Sequence, residues 1–179
     1  MGLAPTARTT AALAMGDALA VATLTKRGFK AEDFAEFHPG GSLGRRLLTR
    51  VKDLMHIGAA VPVVRPTAGM KDVIAAMTAK EVRGVCGVTD DEGSLVGVIT
   101  DGDLRRRLDK STNIMAEKVS DIMGRSPKVI DQNEMAEKAL FMMEQFAIQS
   151  LFVVNRASTN PMQPVGLLHL QDLLKARVR

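Results

Sequence analysis

Thr100 and Asp103 stand one helical turn apart in the segment VGVITDGDLRR, residues 96–106, where an apolar strand runs directly into a basic helix. At a helix start, a carboxylate can accept hydrogen bonds from paired hydroxyls, and the neighbouring main-chain N–H groups face an anion such as a phosphate. The same residues can instead form a helix cap, with Thr100 as the N-cap and Asp103 completing it, and a cap needs no ligand. One copy of the segment does not decide between a binding site and a capped helix.

The neighbours of this pair suit a bound anion. Asp101 begins the helix, and Thr100 can donate a hydrogen bond to a phosphate. Gly97 has no side chain and would leave room for a ligand, which a cap alone does not require. Arg105 and Arg106 can neutralise negative charge if their side chains turn back toward the junction.

The connection between strand and helix at Thr100–Asp103, called the junction below, is part of an internal repeat. The segment VKDLM at 51–55 returns as VSDIM at 119–123, sixty-eight residues later. VGVITDGDLRR returns at nearly the same offset as VGLLHLQDLLK, residues 165–175, so that His169 and Asp172 stand where the first copy has Thr100 and Asp103. Two pairs of matching segments at nearly the same offset define two units of about sixty residues.

Each unit predicts the order strand, helix, strand, strand, helix. In the first unit the predicted elements are strand 61–64, helix 68–80, strands 85–89 and 96–100, and a helix from 101. In the second unit they are strand 128–130, helix 135–147, strands 150–154 and 165–169, and a terminal helix. Residues 110–118 connect the units, and the polar loop at 156–164 is expected to be exposed and mobile.

Composition excludes several classes of protein. Apolar residues make up 46% of the 179 residues, enough for a core, and no segment predicts a membrane span or a secretory signal, so we expect a cytoplasmic protein. The net charge is +4, but Trp and Tyr are absent and acidic residues are interspersed, which argues against nucleic-acid binding. The single cysteine, Cys86, lies in an apolar run and is expected to be a buried strand thiol. The spacing of the three histidines indicates no metal site.

The tandem order of elements, with a G-x-[IV]-T-x-x-D junction, resembles a pair of cystathionine-β-synthase (CBS) domains. Gly97, Ile99, Thr100 and Asp103 fit that junction in the first unit, whereas in the second Gly166 and Asp172 match and His169 replaces the threonine. The resemblance implies an α+β fold with CBS domains at 51–112 and 113–179. It also implies two clefts between the sheets, pairing into dimers, and regulatory binding of nucleotides.

The resemblance places further residues at such a site. Thr67 and the strand formed by Arg83, Gly84, Val85 and Cys86 would form the opposing wall, with main-chain groups available to a base. The two sites would then use Asp103 and Asp172 for the ribose.

The first fifty residues differ from the repeats. Thr9 or Thr10 can cap a helix that runs to about Arg27 and ends at Gly28, and its apolar residues cover nearly the whole circumference. Such a helix is typical of the interior of a larger body. A short helix at 32–37 and the sequence HPGGS follow, after which Ser42 can cap a third helix.

The residues LAPT, MGDALAVA and HPGGSLGR resemble the end of the sugar-isomerase (SIS) domain of D-arabinose 5-phosphate isomerases, which continue into a CBS pair. The resemblance implies that residues 1–50 are a helical SIS remnant. These enzymes interconvert D-ribulose 5-phosphate and D-arabinose 5-phosphate for synthesis of the lipopolysaccharide sugar Kdo. His38 matches an active-site histidine of the S-H-P-G-G motif, although Phe37 replaces the serine. The family's other catalytic groups would precede Met1, so we expect a C-terminal fragment without isomerase activity.

The function that this resemblance implies is regulatory. The ligand would be an adenine nucleotide, AMP or ATP, or the end product CMP-Kdo, and the protein would need no cofactor and would self-associate. A freestanding CBS-pair regulator without an isomerase is the alternative, and the reading frame upstream would separate the two.

Overall fold

A long exposed helix precedes the repeats. The computed structural model describes residues 6–30, 33, 37, 48–78, 84–110 and 113–178. Helix α1 spans Thr6–Lys26, and every one of its residues is exposed. It starts before the predicted cap, so that Thr10 lies within the helix and its hydroxyl donates to the Thr6 carbonyl, and it ends as predicted, with Gly28 at φ +65°. The helices predicted at 32–37 and after Ser42 lie outside the described residues, apart from Asp33 and Phe37.

Each repeat forms a three-stranded sheet with helices against it, which confirms the predicted α+β pair. In the first repeat the elements are β1 (Val63–Val64), α2 (Met70–Met77), β2 (Val85–Thr89), β3 (Leu95–Thr100) and α3 (Asp101–Leu108). The second has α4 (Val119–Ile122), β4 (Val129–Asp131), α5 (Ala136–Phe146), β5 (Ser150–Val154), β6 (Pro164–His169) and α6 (Leu170–Lys175). Short 3₁₀ turns lie at Val51–Asp53, Gly58–Ala60 and Ile114–Ala116.

The two sheets have the same topology and register. The middle strand pairs in parallel with the first strand and antiparallel with the third, so that Val85 faces Thr100 in one sheet and Ser150 faces His169 in the other. The residue at each helix start therefore lies beside the beginning of the middle strand. This register places both junctions at corresponding edges of the two sheets.

The segment that leads into each repeat packs into the core of the other repeat. These two leading segments are residues 51–56 and 119–124. Val51 is buried in the core of the second repeat, and Val119 is buried in the core of the first. The Val51 N–H donates to the Glu134 carbonyl at 2.9 Å, and the Gly124 N–H donates to the Val98 carbonyl at 2.8 Å. A third apolar cluster, Val85, Leu95, Phe152 and Leu167, joins the sheets.

The second hairpin loop is anchored, in contrast to the mobile loop that its composition predicts. The Leu95 N–H donates to the Met162 carbonyl at 2.9 Å, and the Ser94 hydroxyl donates to Asn160 Oδ1 at 3.0 Å. The two hairpins are therefore bound to each other. Within the described part of the chain, no helix combines the length and apolarity that crossing a membrane requires.

Candidate functional site

A cleft of about 850 Å³ lies between the two repeats and receives residues from both junctions. Its lining from the first repeat is Gly84, Val85, Val98, Thr100, Asp101, Gly102 and Arg106. Its lining from the second repeat is Ser126, Pro127, Lys128, Phe146, Ala147, Ile148, Gln149, Ser150, Phe152, His169 and Gln171. The fold thus brings Thr100 and His169, which are separated in sequence, to one cavity.

Thr100 and Asp103 form a complete helix cap at this cleft. Asp103 Oδ2 accepts hydrogen bonds from the Thr100 N–H at 2.9 Å and from the Thr100 hydroxyl at 2.6 Å, while the Asp103 N–H donates to Thr100 Oγ1 at 3.3 Å. Burial of Asp103 opposes its ionisation, but the hydrogen bonds from Thr100 and Arg106 outweigh it, so that the pKa of Asp103 lies below its ordinary value. Capping and a place at the cleft are therefore compatible.

Arg106 connects Asp103 with the cavity. Its Nη2 donates to Asp103 Oδ1 at 2.7 Å, and the guanidinium extends past Gly102 into the lining. Its side chain is 70% exposed, so its position is not fixed by packing. The ion pair is worth little by itself at such exposure, and Arg106 is available to an anion in the cleft.

Lys128 supplies a second cation from the other repeat. Its Nζ lies 4.6 Å from the centroid of the Phe146 ring, in a cation–π arrangement. Phe146 and Phe152 both line the cleft, and they provide apolar and aromatic surface next to the charged groups. A ligand with an anionic end and a planar apolar end matches this lining.

The second junction is built around a different set of partners. His169 Nδ1 accepts a hydrogen bond from the Gln171 N–H at 3.1 Å, and Asp172 Oδ2 accepts from the His169 N–H at 3.2 Å. His56 Nε2 lies 3.0 Å from the same Asp172 oxygen. Burial lowers the pKa of His169 below its ordinary value, and the nearby His56 and Lys175 lower it further against the opposing effect of Asp172.

Several predicted site residues do not line the cleft. Gly97 is buried against Met123, whose Sδ would stand 2.5 Å from an added Cβ, so the glycine makes room for a methionine and not for a ligand. Cys86 is buried in the first core, as its apolar surroundings predict, and burial raises its pKa to about 12. Thr67 is exposed in the turn before α2, and Arg105 is exposed on α3 away from the lining.

Other predictions fall outside the described residues. Arg83 and His38 are among these positions. Asp103 and Asp172 are not lining residues of the cleft, and each accepts a hydrogen bond from the main chain of its own junction. Thr100, Asp101, Gly84, Val85, Arg106 and His169 are the predicted residues that the structure gathers around the cavity.

Sequence reasoning missed the contribution of the second repeat. Ser150 lines the cleft because it occupies the register position of Val85, and the strands predicted at 85–89 and 150–154 already indicated it, since each begins at one of these two residues. Lys128 and Phe146 were missed because the predicted wall of the site was drawn from the first repeat, and both residues belong to the second. Among the described residues, no group of three histidine, cysteine or acidic side chains is placed to hold a metal ion.

The fold and the two junctions define a class of protein. The CBS domain family matches residues 51–110 and 119–179, which together exceed half of the chain, and the chain belongs to that family. The chain is also 44% identical over 178 residues to the arabinose 5-phosphate isomerase KdsD of Yersinia pestis, a match that covers 99% of this chain and 52% of that protein. The chain spans about half the length of the curated relatives it matches.

Solved structures of CBS pairs have the same fold. CBSX2 in complex with AMP is 27% identical, with a TM-score of 0.57, and the match covers 72% of this chain and 95% of that chain. The CBS domain protein PAE2072 from Pyrobaculum aerophilum, complexed with AMP, is 21% identical with a TM-score of 0.59, covering 69% of this chain and 89% of that chain. The second likeness is a likeness of fold alone.

Proposed function

We propose that residues 51–178 are the nucleotide-sensing regulatory module of a cytoplasmic D-arabinose 5-phosphate isomerase in Kdo synthesis. The observation that carries this proposal is the cleft between the repeats, which joins the start of α3 and two cations to aromatic surface. Its volume of about 850 Å³ is in the range of small-molecule sites.

The lining suggests how a nucleotide binds. A phosphate placed at the start of α3 meets the N–H group of Gly102, and the Thr100 hydroxyl can turn from Asp103 to donate to it. Arg106 and Lys128 approach the same cavity and can neutralise the charge. The base is then directed toward Phe146 and Phe152, where a planar ring can stack. A ribose hydroxyl that displaces Arg106 gains Asp103 Oδ1 as its acceptor.

The identity of the nucleotide is argued from the relatives and from charge. CBSX2, more than a quarter identical to this chain, was crystallised with AMP, which supports an adenine nucleotide. CMP-Kdo shares the ribose and the phosphate and adds a carboxylate, which the cations of the cleft also suit. We infer AMP or ATP as the first candidate and CMP-Kdo as the second.

Isothermal calorimetry of the purified chain with AMP, ATP, CMP and CMP-Kdo tests the proposal. Two adjacent arginines give a matched pair of variants, because Arg106 lines the cleft and Arg105 does not. Arg106→Ala should reduce the affinity, whereas Arg105→Ala should leave it unchanged. Absence of binding by all four compounds, or an equal loss in the two variants, would contradict a nucleotide site in this cleft.

The link to the isomerase has its own support and its own test. The match to KdsD includes residues before the CBS pair as well as the pair itself, since it covers 99% of this chain. If the module is regulatory, the ligand found by calorimetry should change the rate of D-arabinose 5-phosphate turnover by the isomerase that carries this sequence. An upstream reading frame without a sugar-isomerase domain would favour the freestanding regulator instead.

A further inference from the structure

The segments that precede the two repeats are structural equivalents, residue by residue. Met55 packs on Gly166 as Met123 packs on Gly97, with the sulfur 2.6 and 2.5 Å from an added Cβ. His56 pairs with Leu167 of β6 in an isolated antiparallel bridge, and Gly124 pairs with Val98 of β3 in the same way. His56 and Gly124 therefore occupy the same place relative to the two junctions.

The two equivalent positions differ in what they present to the junction aspartate. Gly124 has no side chain, and the outer oxygen of Asp103 is bound only by the exposed, displaceable Arg106 among the contacts of the described residues. At the second junction the imidazole of His56 reaches Asp172 Oδ2 at 3.0 Å, and both side chains are largely buried, at 24% and 16% exposed. One oxygen of the Asp172 carboxylate is thus bound by a residue of the segment that precedes the first repeat.

We propose that the pair has one nucleotide site, at the first junction, and that His56 occupies the corresponding place at the second. This assignment rests on the proposed function. His56 binds the Asp172 oxygen that also accepts from the His169 N–H, in the place of the Thr100 hydroxyl at Asp103, and its largely buried ring stands beside the carboxylate. The main chain of His56 is fixed by hydrogen bonds with Leu167 at 2.8 and 2.9 Å. A nucleotide would have to displace a side chain that is already ordered, whereas at the first junction it displaces an arginine in solvent.

The replacement of threonine by histidine reinforces the difference. His169 uses Nδ1 to accept from the Gln171 N–H, so it offers no hydroxyl to a phosphate at the start of α6. The residue at the place of Asp101 is Leu170, which removes the polar group that lines the first junction. The second junction is thus built as a closed contact between the repeats.

Reciprocal substitutions at the equivalent positions test the assignment by calorimetry with AMP. The parent chain should bind about one AMP per chain, His56→Gly should gain a second binding event, and Gly124→His should weaken the first event at least tenfold. Gly124 tolerates a side chain, because its φ is not in the left-handed region and an added Cβ would lie 3.7 Å from the Val98 carbonyl oxygen. His56→Ala serves as a second opened variant, and thermal unfolding of each variant verifies that it is folded.

The outcomes separate the two proposals. Two equivalents of AMP on the folded parent chain would overturn the single-site assignment and leave the proposed function standing. One equivalent on the parent with no change in either His56 variant, and none in Gly124→His, would also overturn it. No binding by any of the chains would overturn the proposed function and this assignment together.

Discussion

The sulfur of Met123 stands 2.5 Å from the point where a Cβ on Gly97 would lie. Gly97 belongs to β3 of the first repeat, and Met123 belongs to the segment that leads into the second. The glycine of the junction motif is therefore explained by packing between the repeats. This reassigns a residue that the motif pattern associates with ligand binding.

Gly97→Ala should reduce the free energy of unfolding by about 1 to 3 kcal/mol, the usual range for forcing an extra methyl group into a packed core. Urea unfolding measures the change, and the matched control is Gly124→Ala, whose added Cβ meets only ordinary contacts. The double variant Gly97→Ala/Met123→Ala should recover part of the loss, since it removes the clashing sulfur. Unchanged stability with lost AMP affinity would return Gly97 to a role in binding.

Asp103→Ala should weaken nucleotide binding by about 1 to 3 kcal/mol, the cost of losing hydrogen bonds to a charged acceptor. Asp172→Ala should leave the affinity nearly unchanged, because that carboxylate is already paired with His56. Calorimetry on both variants, after circular dichroism has shown that each is folded, makes the comparison. Equal losses in the two variants would contradict the difference between the junctions.

Stability should decline as the pH falls below about 6.5, the ordinary pKa of histidine, and His169 should account for part of that decline. The folded-state pKa of His169 is lowered, so the unfolded chain takes up the proton first, and the contribution of neutral His169 is fully present above 6.5. His169→Asn keeps a capping side chain that does not titrate in this range. Its free energy of unfolding should depend less on pH than that of the parent chain, as measured by urea unfolding from pH 7.5 to 5. Identical slopes would show that His169 does not carry the effect.

The full chain should self-associate through α1. Leu13 and Leu19 on this helix are 66% and 62% exposed, and a helix with several large apolar side chains exposed on more than one side is rarely left in water. Light scattering on the full chain, on Leu13→Gln/Leu19→Gln and on a chain that starts at Arg50 separates the helix from pairing of the CBS domains. A monomer in all three would contradict both routes to association.

The repeat made most of the fold predictable. The offset between VKDLM and VSDIM, together with the alternation in residues 85–100, placed both sheets, and the observed β2 and α3 match the predicted positions. Helix α2 begins at Met70, two residues after the predicted start, because Gly69 is the N-cap and its N–H donates to Asp72. Such boundaries depend on local hydrogen bonds that periodicity does not record.

The site was predictable only where the motif itself forms it. Thr100 and Arg106 were predictable as lining residues of the cleft, since the junction sequence fixes both the cap and the helix face. Lys128 and Phe146 were not, because they reach the cleft through packing of one repeat on the other, which a single repeat does not encode. The contrast of His56 with Gly124 was present in the sequence, one residue beyond the matched segments, but its meaning required the contact with Asp172.

The exchange of leading segments makes the two repeats a single cooperative folding unit. A chain ending at Lys110 would lack Val119, which the first core needs, and would carry Val51, which belongs to the second. Neither half can complete its own interior, so intermediates with one repeat formed should be scarcely populated. Ligand binding at the cleft would then stabilise both repeats against unfolding together. A ligand bound at one junction therefore acts on the stability of both repeats, because their cores are shared.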